Sequence, residues 1–81
     1  MIFNESTFKK LGFQNKKGAK NVLEASAEIS SGEYITIRLA VFKENVSFLG
    51  IEVQGSNANE KRREYLKKYS LEEIHKLFSD Y

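Results

Sequence analysis

The side chains that could perform chemistry in this chain are few. The 81 residues include no cysteine and one histidine, His75, so there is no thiol nucleophile, disulfide or thiolate metal site. Nucleophilic catalysis requires a nucleophile beside a base, whereas Glu72, Lys76 and Ser79 around His75 are typical of a solvated helix surface. No zinc-ligand or calcium-loop spacing and no phosphate-binding glycine motif occurs. We therefore expect no catalytic residue, no metal and no cofactor.

Three glutamates and an arginine are the best candidates for an acid–base site. Glu24, Glu28 and Glu52 are predicted to share one sheet face with Arg38, and paired carboxylates can act as general acid and base. A charge cluster centred on Arg38 explains them more simply, because an open sheet lacks the pocket that tunes the pKa of a carboxylate. This pattern favours a protein that is not an enzyme.

The basic side chains form two groups that could contact phosphates, one on a predicted loop over residues 16–20 and one on a predicted helix over residues 60–69. They are Lys16, Lys17, Lys20, Lys61, Arg62, Arg63, Lys67 and Lys68. Lysines on loops and helix starts suit phosphate contacts, which carry no sequence information. Glu60 and Glu64 interrupt the helical group, and such alternation is equally typical of a salt-bridged solvent face.

A short helix is predicted at the start of the chain. Asn4 is a suitable N-cap, and Phe3 and Phe8 have the spacing of a hydrophobic staple. Gly12 can adopt the left-handed conformation that ends a helix. We therefore predict a helix over residues 5–11, followed by an exposed loop that lacks apolar periodicity.

Apolar and polar residues alternate over residues 21–54, which predicts a three-stranded antiparallel meander. A three-residue loop over 43–45 would pair Ile37 with Ile51 in the second hairpin. In the first hairpin, a loop over 31–33 would pair Ala27 with Ile37. A two-residue turn there would need a bulge to keep the same residues on each face.

Two helices are predicted after the sheet, because Asn57 with Glu60 and Ser70 with Glu73 have the spacing of capping boxes. The whole chain, residues 1–81, is thus expected to be a single α+β domain. Its order is one helix, three strands and two helices. Helix, three strands and helix is also the order in double-stranded-RNA-binding domains, which this chain resembles in topology but not in their basic helix-start motif.

The predicted sheet has one aliphatic face and one mixed face. The aliphatic, inner face consists of Leu23, Ile29, Ile35, Ile37, Leu39, Val41, Leu49, Ile51 and Val53. On the outer face, Val22, Phe42, Val46 and Phe48 are predicted to form an apolar patch near the second hairpin. Monomers rarely expose such patches, so we expect either the last helix or a partner to cover it.

The sequence favours a non-enzymatic binding module that contacts nucleic acid. The alternative is a protein-interaction module: a small inhibitor, adaptor or accessory subunit. It would dock through Arg38, Phe42, Val46 and Phe48 or through an exposed sheet edge, and a homodimer could form through the same outer face. The absence of a long apolar run and of a secretory signal predicts a cytoplasmic protein without a membrane segment.

Overall fold

A four-stranded antiparallel sheet, in the order β1-β2-β3-β4, lies at the centre of the fold. The computed structural model describes residues 3–79. Its elements are α1 (Glu5–Lys10), β1 (Gln14–Lys16), β2 (Ala19–Ser30), β3 (Glu33–Phe42), β4 (Asn45–Gln54), α2 (Ala58–Lys68) and α3 (Leu71–Ser79). The predicted α+β class and single small domain are confirmed, and the sheet has four strands where three were predicted.

Helix α1 begins as its sequence indicates. The side chain of Asn4 accepts a hydrogen bond from the backbone N–H of Thr7 at 2.9 Å. In return, Thr7 Oγ1 accepts one from the N–H of Asn4 at 3.3 Å, which completes a capping box. The rings of Phe3 and Phe8 lie 5.9 Å apart, so the predicted hydrophobic staple is present.

Helix α1 ends in a Schellman motif one residue earlier than predicted. Gly12 has a φ of +103° and donates its N–H to the carbonyl of Lys9, while Phe13 donates to the carbonyl of Phe8. This turn brings the ring of Phe13 to 5.4 Å from that of Phe8. The chain is thereby directed back to the sheet.

The segment predicted to be a loop over residues 14–20 forms a hairpin instead. Strand β1 pairs with β2, with Gln14 opposite Glu24 and Asn15 opposite Leu23. Its three residues are all exposed, so they carry no apolar alternation that would identify a strand. The side chain of Asn15 also donates to the carbonyl of Lys20 at 2.8 Å, which supports this turn.

The β2–β3 hairpin has the alternative geometry considered above, which combines a two-residue turn with a bulge in β2. Ser30 pairs with Glu33, and a register shift before it brings Ala27 opposite Ile35. The predicted loop over 31–33 is therefore wrong, and the observed pairing of β2 with β3 differs from the predicted one by two residues. Because two positions is one full period of a strand, the inner and outer faces are preserved.

The β3–β4 hairpin starts in the predicted register and then departs from it. Ile37 lies opposite Ile51, but Leu39 lies opposite Phe48 because Leu49 is an extra, bulged residue. Between the turn and the bulge, each residue of β4 faces the side of the sheet opposite to the predicted one. Leu49, predicted to be in the core, is 55% exposed, and Phe48 packs against the core.

A two-residue turn explains this shift. Lys43 and Glu44 both have positive φ, at 49° and 74°, as type I′ hairpin turns require. Neither residue type favours that conformation, and the sequence predicted a longer loop over 43–45. In the structure, Asn45 is the first residue of β4 and pairs with Phe42.

The core lies between the inner face of the sheet and helices α1 and α3. Its buried residues are Phe8, Phe13, Leu23, Ala27, Ile35, Ile37, Leu39, Ile51, Tyr69, Ile74 and Phe78. Burying each large aliphatic side chain contributes roughly 1.5–3 kcal/mol before the entropy of ordering is subtracted. The last helix thus joins the inner face and does not cover the outer one.

The two C-terminal helices begin differently. Asn57 has a φ of +58° and its side chain makes no cap hydrogen bond, so the capping box predicted with Glu60 is wrong. Ser70 Oγ accepts from the N–H of Glu73 at 3.3 Å, as predicted for α3. Tyr81, predicted on the apolar side of α3, lies outside the described residues. Between residues 3 and 79, no helix is both long and apolar enough to cross a bilayer.

Candidate nucleic-acid interface

One end of the sheet collects lysines from three parts of the chain. The β1–β2 and β3–β4 turns lie at the same end of the meander, and the N–H of Glu5 donates to the carbonyl of Glu44 at 2.9 Å. This contact places the start of α1 beside the β3–β4 turn. We call the resulting surface the lysine end, and its charged residues are Lys9, Lys16, Lys17, Lys20, Lys43, Glu5 and Glu44.

The three lysines of the β1–β2 hairpin are the most available cations of the lysine end. Lys16, Lys17 and Lys20 are exposed, and none of them forms an ion pair with another residue of the described chain. By contrast, Lys9 is paired with Glu5 at 3.4 Å. Glu5, Lys16 and Lys20 line one open depression, so the hairpin and α1 present a continuous surface.

Two of the cations predicted on helix 60–69 serve the fold. Lys61 Nζ lies 2.7 Å from Glu33 Oε2 and is only partly exposed. This hydrogen bond is the main cause that lowers the pKa of Glu33 and raises the pKa of Lys61. Arg62 Nε donates to the carbonyl of Ile51 at 3.0 Å, which satisfies a backbone acceptor of the edge strand β4.

The remaining cations of α2 are exposed but distant from the hairpin lysines. Arg63, Lys67 and Lys68 face solvent, and Lys68 Nζ lies 5.4 Å from the ring centre of Tyr69. Helix α2 contacts Glu33, the first residue of β3, and Lys68 lines a depression with Ser30 and Glu33, whereas the lysine end adjoins the last residue of β3. A ten-residue strand spans about 30 Å. Lys68 is thus remote from the hairpin lysines, whereas Arg62 and Lys16 both act electrostatically on Glu52 between the two groups.

The charge cluster on the outer face is present with two of its three predicted carboxylates. Arg38 Nε lies 3.2 Å from Glu24 Oε2, and its Nη1 lies 2.9 Å from Glu52 Oε1. The hydrogen bond from Arg38 is the main cause that lowers the pKa of Glu52, and Lys16 adds a smaller electrostatic effect. Glu28 accepts instead from the N–H of Gly32. Arg38 is thus neutralised within the sheet.

The predicted apolar patch does not form, because the bulge in β4 separates its members. Val46 and Phe48 pack against the core, whereas Phe42 is 73% exposed. Val22 stays on the outer face, opposite Ala40. Phe42 is thus the exposed aromatic residue that remains of the patch. The sequence contains no signal that predicts the bulge, because Leu49 fits the apolar alternation of a regular strand.

His75 lies in a less solvated place than its own helix predicts. It is half-buried, and its ring centre lies 5.3 Å from that of Phe3. The rings of Phe8 and His75 are 6.2 Å apart. The prediction of a fully solvated histidine is wrong because Phe3, which precedes α1, and Phe8 of α1 pack against its ring.

Sequence reasoning did not locate an open sheet edge that the structure shows. Strand β1 pairs with β2 only as far as Glu24, so residues 25–30 of β2 have no neighbouring strand on that side within the described chain. A groove of about 550 Å³ follows this edge. Its lining residues are Leu11, Gly12, Gln14, Asn15, Glu24, Ala25, Ser26, Ala27, Glu28 and Phe78. An extended peptide could add a strand here.

The comparisons with known proteins do not assign the chain to a family. No protein-family model matches the chain, and no significant match was found among curated proteins or solved structures. Among residues 3–79, no cluster of three or more His, Asp or Glu side chains has the arrangement of a metal site.

Proposed function

We propose that this protein is a non-enzymatic binding module that contacts the phosphates of nucleic acid through Lys16, Lys17 and Lys20. The observation that carries the proposal is that one hairpin projects three exposed lysines that make no ion pair within residues 3–79. A lysine that already neutralises a carboxylate gains less from a phosphate than a free one does. The hairpin lysines, of which Lys16 has only a weak electrostatic effect on Glu52, can replace condensed counterions on a nucleic acid backbone.

The helix cations have a smaller part in this proposal. Lys61 and Arg62 stabilise the position of α2 through Glu33 and the carbonyl of Ile51. Three further cations of α2 are exposed, and Lys68 lines a depression with Ser30 and Glu33 at the opposite end of the sheet, so this group adds only long-range attraction. They are Arg63, Lys67 and Lys68. Their replacement by alanine therefore provides a control with the same change in net charge as the hairpin variant.

Fluorescence anisotropy with labelled single-stranded and duplex DNA and RNA tests the proposal. Three phosphate contacts predict that affinity falls roughly 20- to 40-fold between about 50 and 200 mM salt. We expect the K16A/K17A/K20A variant to bind at least about tenfold more weakly at low salt. The R63A/K67A/K68A control should lose less than about threefold. Wild-type protein that binds no oligonucleotide at low salt, or equal losses in both variants, would contradict the proposal.

The second candidate function is a protein-interaction module, and the open edge of β2 favours it. Exposed edge strands offer unpaired backbone groups to an incoming strand. A small inhibitor, adaptor or accessory subunit could use either this edge or the outer face at Phe42, including pairing with a second copy. Light scattering tests whether a homodimer forms through the outer face. Such a dimer should dissociate in Phe42→Ser, and a wild-type protein that is monomeric at all concentrations would contradict this form of the second candidate function.

A further inference from the structure

We infer that the nucleic acid bound at the lysine end is single-stranded and that one of its bases stacks on Phe42. This inference rests on the proposed function and adds the class of nucleic acid and an aromatic contact. Phe42 is the most exposed large apolar side chain among residues 3–79, at 73% of its surface. An exposed aromatic ring beside free lysines is the combination with which proteins bind single strands.

The charges around Phe42 favour a nucleotide. Lys43 Nζ lies over the ring, 5.5 Å from its centre, so a stacked base displaces this exposed side chain to the ring edge, within reach of the nucleotide's phosphate. The β2–β3 register pairs Val22 with Ala40, and its continuation by two residues places Lys20 level with Phe42 on the same face. Neighbouring strands are about 4.8 Å apart, so both lysines flank the ring.

Between Phe42 and the Arg38 cluster, the outer face carries small, uncharged side chains. Its neighbours towards the middle of the sheet are Ala40, opposite Val22 on one side and Ser47 on the other. The next carboxylate along this face, Glu24, is held by Arg38. Small side chains leave room for a planar base, and the exposed carboxylate of Glu44 in the adjacent turn is outnumbered by Lys20 and Lys43 beside the ring.

A duplex cannot use this arrangement. Its bases are stacked on one another and show only their edges in the grooves, so the ring of Phe42 would meet the sugar–phosphate backbone. An unpaired base has a free π-face, and every base can stack in this way without sequence preference. Phosphate contacts alone would serve duplex and single strand alike.

Binding of matched oligonucleotides tests the inference. The probes are oligothymidylate of about 15 nucleotides, an abasic oligomer of the same length and a duplex of the same length. Wild-type protein should bind oligothymidylate roughly 5- to 150-fold more tightly than the abasic oligomer, because one base–aromatic stack contributes about 1–3 kcal/mol. Phe42→Ala should remove this difference and leave affinity for the abasic oligomer unchanged. Phe42→Tyr should retain the difference, and Leu49→Ala, another exposed apolar residue, should have no effect.

The possible failures of the two proposals are distinguishable. If wild-type protein binds oligothymidylate and the abasic oligomer equally, in a manner that depends on the hairpin lysines, stacking on Phe42 is wrong and the proposed function stands. A preference for oligothymidylate that persists in Phe42→Ala also overturns the inference. If Phe42→Ala dissociates a homodimer, the ring belongs to a protein interface. Failure of wild-type protein to bind any probe at low salt overturns both proposals.

Discussion

Glu33 holds together three segments of the chain. Its carboxylate accepts hydrogen bonds from Ser30 Oγ at 2.8 Å, from Lys61 Nζ at 2.7 Å and from the hydroxyl of Tyr65 at 3.3 Å. No residue of α2 is buried, although the whole helix is described. Tyr65 packs against the core at one point, and the position of α2 otherwise depends on polar contacts such as these and on the hydrogen bond from Arg62 to β4.

The contacts of Glu33 predict a pH-dependent stability. They lower its pKa, chiefly through the hydrogen bond from Lys61 and then that from Ser30. Because the folded-state pKa is below the unfolded one, the stabilisation is present above the unfolded pKa and is lost as pH falls through the folded value. Glu33→Gln should therefore lower the Tm at about pH 7, and its difference from wild type should shrink below about pH 4.

Thermal melts followed by circular dichroism between about pH 3 and pH 7 measure this effect. The control is Glu60→Gln, which removes an exposed carboxylate of α2 that has no ion-pair partner within residues 3–79. Because Glu60 lies in the first turn of α2, where the helix dipole favours a carboxylate slightly, the control should lower the Tm much less than Glu33→Gln does. A difference between Glu33→Gln and wild type that grew with acidification would show that Glu33 does not stabilise the folded state as an anion.

His75 shows why single residues are hard to place from sequence. Its helical neighbours are polar, so a pattern confined to α3 predicts a solvated side chain. The rings that cover it, Phe3 and Phe8, come from the other end of the chain. Only the packing of α1 against α3 brings them together, and no local periodicity encodes that contact.

At the scale of elements, sequence signals were reliable where a local physical cause determines structure. The capping and Schellman residues of α1 and the alternation of β3 gave the helix, its ends and the inner face. Strand β1 was not predicted because its three side chains are polar. Its extended conformation depends on pairing with β2. The turn at Lys43 and Glu44 was missed because neither residue favours positive φ.

The bulge in β4 makes a prediction that separates two adjacent apolar residues. Phe48 packs against the core and Leu49 is exposed, the reverse of their order in a regular strand. Phe48→Ser should reduce the free energy of unfolding by about 2 kcal/mol, because apolar contacts are lost and a hydroxyl is partly buried. Leu49→Ser should change it by less than about 0.5 kcal/mol.

Urea denaturation of the two variants measures these changes through the midpoint at constant slope. Each variant is the control for the other, since both introduce serine at neighbouring positions of one strand. If Leu49→Ser were the more destabilising, β4 would be regular up to its turn. The patch of Val22, Phe42, Val46 and Phe48 would then exist on the outer face.

At the scale of the molecule, topology decides which cations can act together. The sequence identified the basic residues by type, but it predicted that the hairpin and helix groups serve one function. The meander places the hairpin turns at one end, and the contacts of α2 with Glu33 place the helix at the other. A modest net charge of +2 thus includes a concentrated lysine end and a neutralised centre at Arg38.

Chemical-shift mapping by NMR tests the central claim most directly. Oligothymidylate of about 15 nucleotides is titrated at low salt into ¹⁵N-labelled protein. The account predicts that amide shifts concentrate in residues 16–22 and 40–47 and disappear when salt is raised. Shifts confined to α2 or to residues 25–30, or no shifts at all, would contradict the assignment of nucleic-acid binding to the lysine end.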